Sequence, residues 1–78
     1  MLILYVTKHC PNCPKVKLYL ISKNVAFDIK DAEKIPGECE KYNIQSVPTV
    51  RLDNDVLPIG NDLKKLSVWL RKRGLIRG

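Results

Sequence analysis

The chain has 78 residues, 45% of them apolar, with three cysteines and a formal charge of +6. That length allows one small domain, residues 1–78, and no second one, and the apolar fraction lets burial drive folding without a structural metal or a disulfide framework. Three cysteines are too few, and odd in number, for a secreted disulfide scaffold; no apolar run approaches a membrane span, and the N-terminus lacks the order of a signal peptide, so a cytoplasmic protein is expected.

Leu2 to Val6 is a continuous apolar run, the pattern of a strand buried on both faces. Thr7 to Asn12 reads as a loop, with Pro11 suited to a first helical turn, where its missing N–H costs nothing. Cys13, Val16 and Leu20 recur at helical spacing, with Tyr19 adjacent, so a helix is predicted to about Lys23, and Asn24 can end it in a left-handed turn. Val25 to Ile29 alternates and reads as a second strand. Asp31 can cap a short helix that Pro36-Gly37 interrupts, leaving Pro36 to Tyr42 as the helix proper. Thr49 to Leu52 is a third strand, turning through Asp53-Asn54-Asp55 into a fourth, Val56 to Ile59, which Gly60 ends. Leu63, Leu66 and Leu70, with Trp69 beside them, mark a last helix ending near Gly74. The order β-α-β-α-β-β-α demands a parallel first pair with a right-handed crossover and an antiparallel closing hairpin. The fold class is therefore α/β: a small four-stranded mixed sheet with helices on both faces.

The chemistry concentrates at Cys10-Pro11-Asn12-Cys13. A C-x-x-C between a strand and a helix is the mark of a thiol–disulfide site. A helix start carries partial positive charge and free N–H donors, which stabilise a thiolate, the reactive form of cysteine. Two intervening residues put the Cα atoms near the ~5.5 Å that a disulfide prefers. Cys10, the outer residue, is assigned as the attacking thiolate, with a pKa lowered to roughly 3.5–7.5 as is usual for such thiols, and Cys13 as the resolving thiol. Lys8 and His9 can add to the thiolate's stabilisation, and Pro11 stiffens the link. A second feature is Val47-Pro48-Thr49. A proline entering a strand is tolerated if its peptide bond is cis and turns the chain, and a cis Pro48 beside the cysteines would leave the Val47 backbone groups open to an extended substrate.

Taken together these residues resemble the thioredoxin/glutaredoxin superfamily over essentially the whole chain. Thr7 to Cys13 resembles the glutaredoxin active-site segment, Tyr42 to Val50 the thioredoxin cis-proline segment, and Ile59 to Leu63 a shortened form of the glutaredoxin segment that holds the glutathione γ-glutamyl end. The resemblance implies a minimal thioredoxin fold, a cis Pro48 and dithiol reductase activity toward disulfides of proteins or small molecules, with no bound cofactor. It implies glutathione as a co-substrate, or thioredoxin reductase in its place as electron donor. It implies contacts from Lys8 and Gln45 to glutathione carboxylates, from Val47 to its backbone, and from Asn61 and Asp62 to the γ-glutamyl amine. Ribonucleotide reductase is an implied recipient, since small glutaredoxin-like reductases of this length serve it. The chain departs from the family at Asn12, where thioredoxins have a proline and most glutaredoxins a tyrosine, at Leu4, where thioredoxins bury an aspartate, and at Asn61, which replaces a glycine. The expected potential lies between the two ranges, roughly −270 to −200 mV.

Other features read more plainly. Lys64, Lys65, Arg71, Lys72, Arg73 and Arg77 crowd the C-terminal end, while Lys8, Lys15 and Lys17 flank the cysteines. They form a solvated basic face or a field that steers an acidic partner or anionic thiol. Aromatics interleaved with basic residues are nearly absent, so no specific nucleic-acid binding is expected, nor, without a large apolar face left over, an oligomer. Cys39 reads as a partly buried bystander, and Tyr5, Tyr19 and Trp69 as packing residues. The rival readings are a metal site from His9, Cys10, Cys13 and Cys39, and a non-catalytic docking module of the same fold.

Overall fold

The computed structural model describes residues 1–76, so Arg77 of the basic C-terminal group lies outside the described residues. The elements are β1 (Leu2–Val6), α1 (Cys13–Ser22), β2 (Phe27–Asp31), a 3₁₀ turn (Ala32–Lys34), α2 (Pro36–Lys41), β3 (Thr49–Leu52), β4 (Asp55–Pro58) and α3 (Leu63–Lys72). They form a four-stranded sheet in the order β2-β1-β3-β4. The β1–β2 pair is parallel, and β1–β3 and β3–β4 are antiparallel. This is the mixed α/β sheet, with the element order, that the sequence predicts. No helix among the described residues is long and apolar enough to cross a membrane.

Strand alternation divides the sheet into two unlike faces. Leu2 and Leu4 of β1 and Val50 of β3 point to one side and form a single core with Val16 and Leu20 of α1 and Leu66, Trp69 and Leu70 of α3. The other side carries Tyr5, its parallel neighbour Lys30 and, from β3, Arg51. Here α2 covers the sheet through polar contacts. The Tyr5 hydroxyl donates to Glu38 Oε2 at 2.6 Å and accepts from Arg51 Nε at 2.8 Å. Lys30 Nζ donates to Glu38 Oε1 at 2.9 Å, and the Arg51 guanidinium stacks 3.8 Å from the centre of the Tyr42 ring. Tyr5, a packing residue by sequence, is fully buried and is also the hub of this network. Burial pushes its pKa up, and the bond to Glu38 adds to the rise, so the hydroxyl stays a donor. Accepting from Tyr5 and then Lys30 holds the Glu38 carboxyl below its ordinary range.

The helices close alike. Asn24, Asn43 and Gly74 each adopt positive φ. The amide after each one donates to a carbonyl five residues back: Val25 to Leu20, Ile44 to Cys39 and Leu75 to Leu70. This corrects the second strand. Val25 is spent on capping α1 and packs into the core, so pairing with β1 starts at Phe27 and runs to Asp31, two residues later than the alternation suggests. The fourth strand begins one residue earlier than predicted, because Asp55 pairs with Leu52 across the two-residue turn. The first helical turn also differs: α1 starts at Cys13 after an Asn12 N-cap whose side chain makes no capping bond. Pro11 therefore precedes the helix, and Pro14 is the proline in its first turn.

Candidate functional site

The site is built at one end of the sheet. β1 delivers the chain into the Thr7–Asn12 loop, whose first turn is closed by the Cys10 amide donating to the Thr7 carbonyl at 3.4 Å. Cys10 and Cys13 form a disulfide with their Cα atoms 5.4 Å apart, and the Cys13 backbone N–H donates to Cys10 Sγ at 3.1 Å. That donor belongs to the first residue of α1 and has no carbonyl partner within the helix. The two sulfurs differ in access: Cys13 is 5% exposed, whereas Cys10 is half-buried at the surface. Lys8, His9 and Pro11 are exposed around them and Asn12 is half-buried.

The antiparallel register brings the second feature to the same place. Thr49 pairs with Tyr5, so Pro48 lies beside Val6, where β1 enters the cysteine loop. The Val47–Pro48 bond is cis. Pro48 is buried, and its carbonyl accepts from Ile59 N–H at 3.0 Å, which draws the 59–62 segment alongside. Thr49, a fully buried polar residue, donates its hydroxyl to the Ser46 carbonyl at 2.6 Å and so closes the turn into the proline. Among the described residues neither the N–H nor the C=O of Val47 has a hydrogen-bond partner.

The remaining predicted residues lie on this end of the fold, but some are already engaged. Asp62 is the N-cap of α3, and its Oδ1 accepts from Lys65 N–H at 3.0 Å. Asn61 is exposed. Gln45 is exposed on the α2–β3 connection, where its amide donates to Asn43 Oδ1. Cys39 belongs to α2, and its thiol donates to the Ala32 carbonyl at 3.6 Å. It sits with the helix that covers the Tyr5 face, across the sheet from α1. Among the described residues no group of three or more His, Cys, Asp or Glu side chains could hold a metal ion.

A groove of about 300 Å³ opens beside the pair, lined by Val6, Thr7, Lys8, Cys10, Cys13, Pro14, Lys17 and Ile29. Pro14, Lys17 and Ile29 are outside the sequence-derived set. Lys17 was visible there only as a flanking charge, and Ile29 only as a strand residue.

A family model described as glutaredoxin matches residues 2–57. The chain is 30% identical over 80 residues to a thioredoxin of Methanocaldococcus jannaschii, with 92% of each chain covered. It is 36% identical over 61 residues to an uncharacterised glutaredoxin-like 8.6 kDa protein encoded in a rubredoxin operon of Clostridium pasteurianum, covering 73% of this chain and 81% of that one. Among solved structures, the thioredoxin-like protein BC3987 superposes with a TM-score of 0.74 at 30% identity, covering 87% of this chain and 97% of that one. Buckwheat glutaredoxin in its glutathione complex gives a TM-score of 0.66 at 15% identity, covering 97% and 81%, a likeness of fold alone.

Proposed function

We propose, from the premise that this chain belongs to the glutaredoxin family and is a thiol–disulfide oxidoreductase, that Cys10 is its attacking thiolate and Cys13 its resolving thiol. The observation that carries the assignment is the asymmetry of the pair. The Cys13 N–H points at Cys10 Sγ, and Cys10 is the sulfur that solvent and substrate reach, while Cys13 is buried.

In the reduced protein the Cys10 thiolate attacks one sulfur of a substrate disulfide. A Cys10–substrate disulfide forms, the substrate's own S–S bond breaks, and the leaving sulfur departs as a thiolate that takes a proton from solvent. Cys13 then gives up its proton and attacks Cys10 Sγ. The Cys10–Cys13 disulfide forms and the second substrate sulfur leaves as a thiol after protonation. Two electrons and two protons pass to the substrate, and an external dithiol, or two monothiols, must return them. The unpaired Val47 N–H and C=O receive the backbone beside the attacked sulfur as an added strand. Lys8, exposed next to Cys10, adds positive potential.

Both electron donors remain within this reading. Glutathione would meet Lys8 and Gln45 through its carboxylates, Val47 through its backbone, and Asn61 and Asp62 through its amine. Gln45 is hydrogen-bonded to Asn43 and Asp62 Oδ1 caps α3, while the second Asp62 oxygen stays open to an amine. In a reducing cytoplasm the recipient is a protein disulfide, with that of ribonucleotide reductase among the candidates. Two measurements test the reading. Alkylation of the reduced protein should show Cys10 reacting faster than free cysteine at neutral pH, and substituting Cys10 by serine should remove disulfide reduction. Turnover driven by thioredoxin reductase, run against glutathione with its own reductase, assigns the donor. Ordinary reactivity at Cys10, or full turnover in the serine variant, overturns the proposal.

A further inference from the structure

The cysteine pair has two flanks. The β3 flank carries Pro48, Val47 and the 59–62 segment. The β2 flank carries the groove, whose lining includes no residue beyond Ile29. Apart from the cysteines and Lys8, the exchange chemistry above uses no residue of this second flank.

Its composition is unusual for a solvent-facing surface. Ile29 sits on the edge strand β2, in register with the fully buried Leu4, yet is 45% exposed. The outer face of α1 continues the apolar strip away from the groove. Pro14, Leu18 and Ile21 follow at helical spacing, and Leu18 and Ile21 are 65% and 52% exposed. A helix whose outer face carries exposed large apolar side chains between its lysines marks a contact surface.

The charge around this strip has one sign. Lys8 and Lys17 line the groove, Lys15 is exposed in the first turns of α1, and the sequence holds no Asp or Glu before Asp28. Among the described residues none of these lysines has a carboxylate partner. The carboxylate closest in register, Asp31 opposite Val6, is engaged by the Glu33 N–H as the cap of the 3₁₀ turn.

We propose that this flank is the docking groove for the polypeptide around the substrate disulfide, and that it selects an apolar side chain next to the reacting cysteine with acidic residues beside it. The inference rests on Cys10 being the attacking sulfur, since the groove ends on it. A volume of about 300 Å³ lies at the small end of ligand sites and takes side chains of a partner, not the partner itself. The apolar wall supplies burial, and the unpaired lysines supply attraction and discrimination against basic segments.

The test uses the reduced 78-residue chain in single-turnover reactions, acid-quenched and read by mass spectrometry. Three peptides each carry one cysteine as its mixed disulfide with 2-mercaptoethanol: one has leucine and flanking glutamates, one has leucine and flanking lysines, and one has serine and flanking glutamates. Bis(2-hydroxyethyl) disulfide is the neutral reference. At low salt the leucine–glutamate peptide should react about tenfold faster than the lysine peptide, within the range of electrostatic steering. That ratio should fall toward one in 0.5 M salt, and the serine peptide should lag about fivefold. Lys17→Glu, which leaves Lys8 and Lys15 in place, should reduce the charge preference about threefold, and Ile29→Ser should erase the leucine preference. Equal rates for the glutamate and lysine peptides with the wild-type protein, or variants that keep its selectivity, overturn the docking proposal alone. Failure to reduce even the neutral reference overturns the thiol–disulfide reading, and docking with it.

Discussion

Replacing Glu38 with glutamine should destabilise the protein by about 2 kcal/mol, although it keeps shape and leaves the cysteines untouched. The carboxylate accepts from Tyr5, which is fully buried, and from Lys30, with Arg51 Nη2 at 3.9 Å. A hydrogen bond from a buried donor to a charged acceptor contributes about 1.5–3 kcal/mol; a glutamine oxygen retains part of that toward Tyr5. The glutamine NH₂ then faces the Lys30 ammonium, donor against donor, or turns and gives up Tyr5 instead. The Lys30 side chain is 38% exposed, so solvent screens that ion pair to about 1 kcal/mol or less. For a domain of this size 2 kcal/mol corresponds to roughly 8–16 °C in Tm. Urea unfolding followed by circular dichroism at pH 7 measures the loss, and a double-mutant cycle with Tyr5→Phe should return a coupling near 1 kcal/mol. The pH dependence has a definite sign. The Glu38 carboxyl is held low by Tyr5 and then Lys30, so its contribution is fully present above the unfolded carboxylate value of about 4.3. It disappears as pH falls through the lower folded value, and acid should therefore narrow the gap between wild type and variant. A Glu38→Gln protein within about 0.5 kcal/mol of wild type at pH 7, the scale of an ordinary surface substitution, would show that the network does not hold α2 to the sheet.

Cys13→Ser should leave the first exchange intact and remove the second, so that the protein accumulates as a mixed disulfide on Cys10; mass spectrometry after incubation with a disulfide substrate reads this directly. Asp62→Ala should cost about 0.5–2 kcal/mol through the lost α3 cap. Asp62→Asn keeps a capping oxygen and should stay near wild type in Tm while raising the KM for glutathione if that side chain also meets the γ-glutamyl amine; an unchanged KM with active protein removes Asp62 from the binding set. Leu66→Ala, at a fully buried position in the shared core of α1, α3 and the sheet, should cost about 2–5 kcal/mol, read by urea unfolding, with small-disulfide reduction retained in the folded fraction.

The sequence made legible whatever depends on near neighbours. The run Leu2 to Val6, the turn at Asp53-Asn54, the Leu63–Leu66–Leu70 stripe and the C-x-x-C after a strand all fall where local pattern put them. The misplacements have local causes too, but of another kind. Val25 alternates correctly with Phe27 and Ile29 for its face of the sheet, yet its amide is claimed by the Leu20 carbonyl, and a helix cap overrides strand pattern at that one residue. Pro11 and Pro14 both suit a helix start, and only the position of the N-cap chooses between them. The Tyr5–Glu38–Arg51 network could not be read at all, since its members are 33 and 46 residues apart and obey no period. Ile29 and Lys17 escaped for a similar reason: nothing in an alternating strand or a charged helix says that the two will meet beside Cys10.

The way the chain distributes charge makes the cysteine loop and α1 basic beyond the effect of net charge, since no Asp or Glu precedes Asp28. Asp28, Asp31, Glu33, Glu38 and Glu40 belong to β2, the 3₁₀ turn and α2, and Asp53 and Asp55 mark the hairpin tip. Because β3 runs antiparallel to β1, that tip lies at the end of the sheet away from the cysteines. The segment from Asp31 to Pro48 begins and ends at the cysteine end, but Glu33, Glu38 and Glu40 lie past β2, and Glu38 is paired with Tyr5 and Lys30. Asp31 and Asp62 each accept a backbone N–H at the start of a helical segment, where the peptide dipoles offset part of the charge. Lys8, Lys15 and Lys17 have no such offset. On the proposed assignment, a thiolate at Cys10 sits in the field of these lysines as well as against the Cys13 N–H, and the exposed lysines' share is open to screening by salt. Raising ionic strength from 0.01 to 1 M should accordingly raise the Cys10 thiol pKa, followed by thiolate absorbance in the Cys13→Ser protein. A pKa independent of salt would assign the stabilisation to the Cys13 N–H alone and remove the lysines from the account.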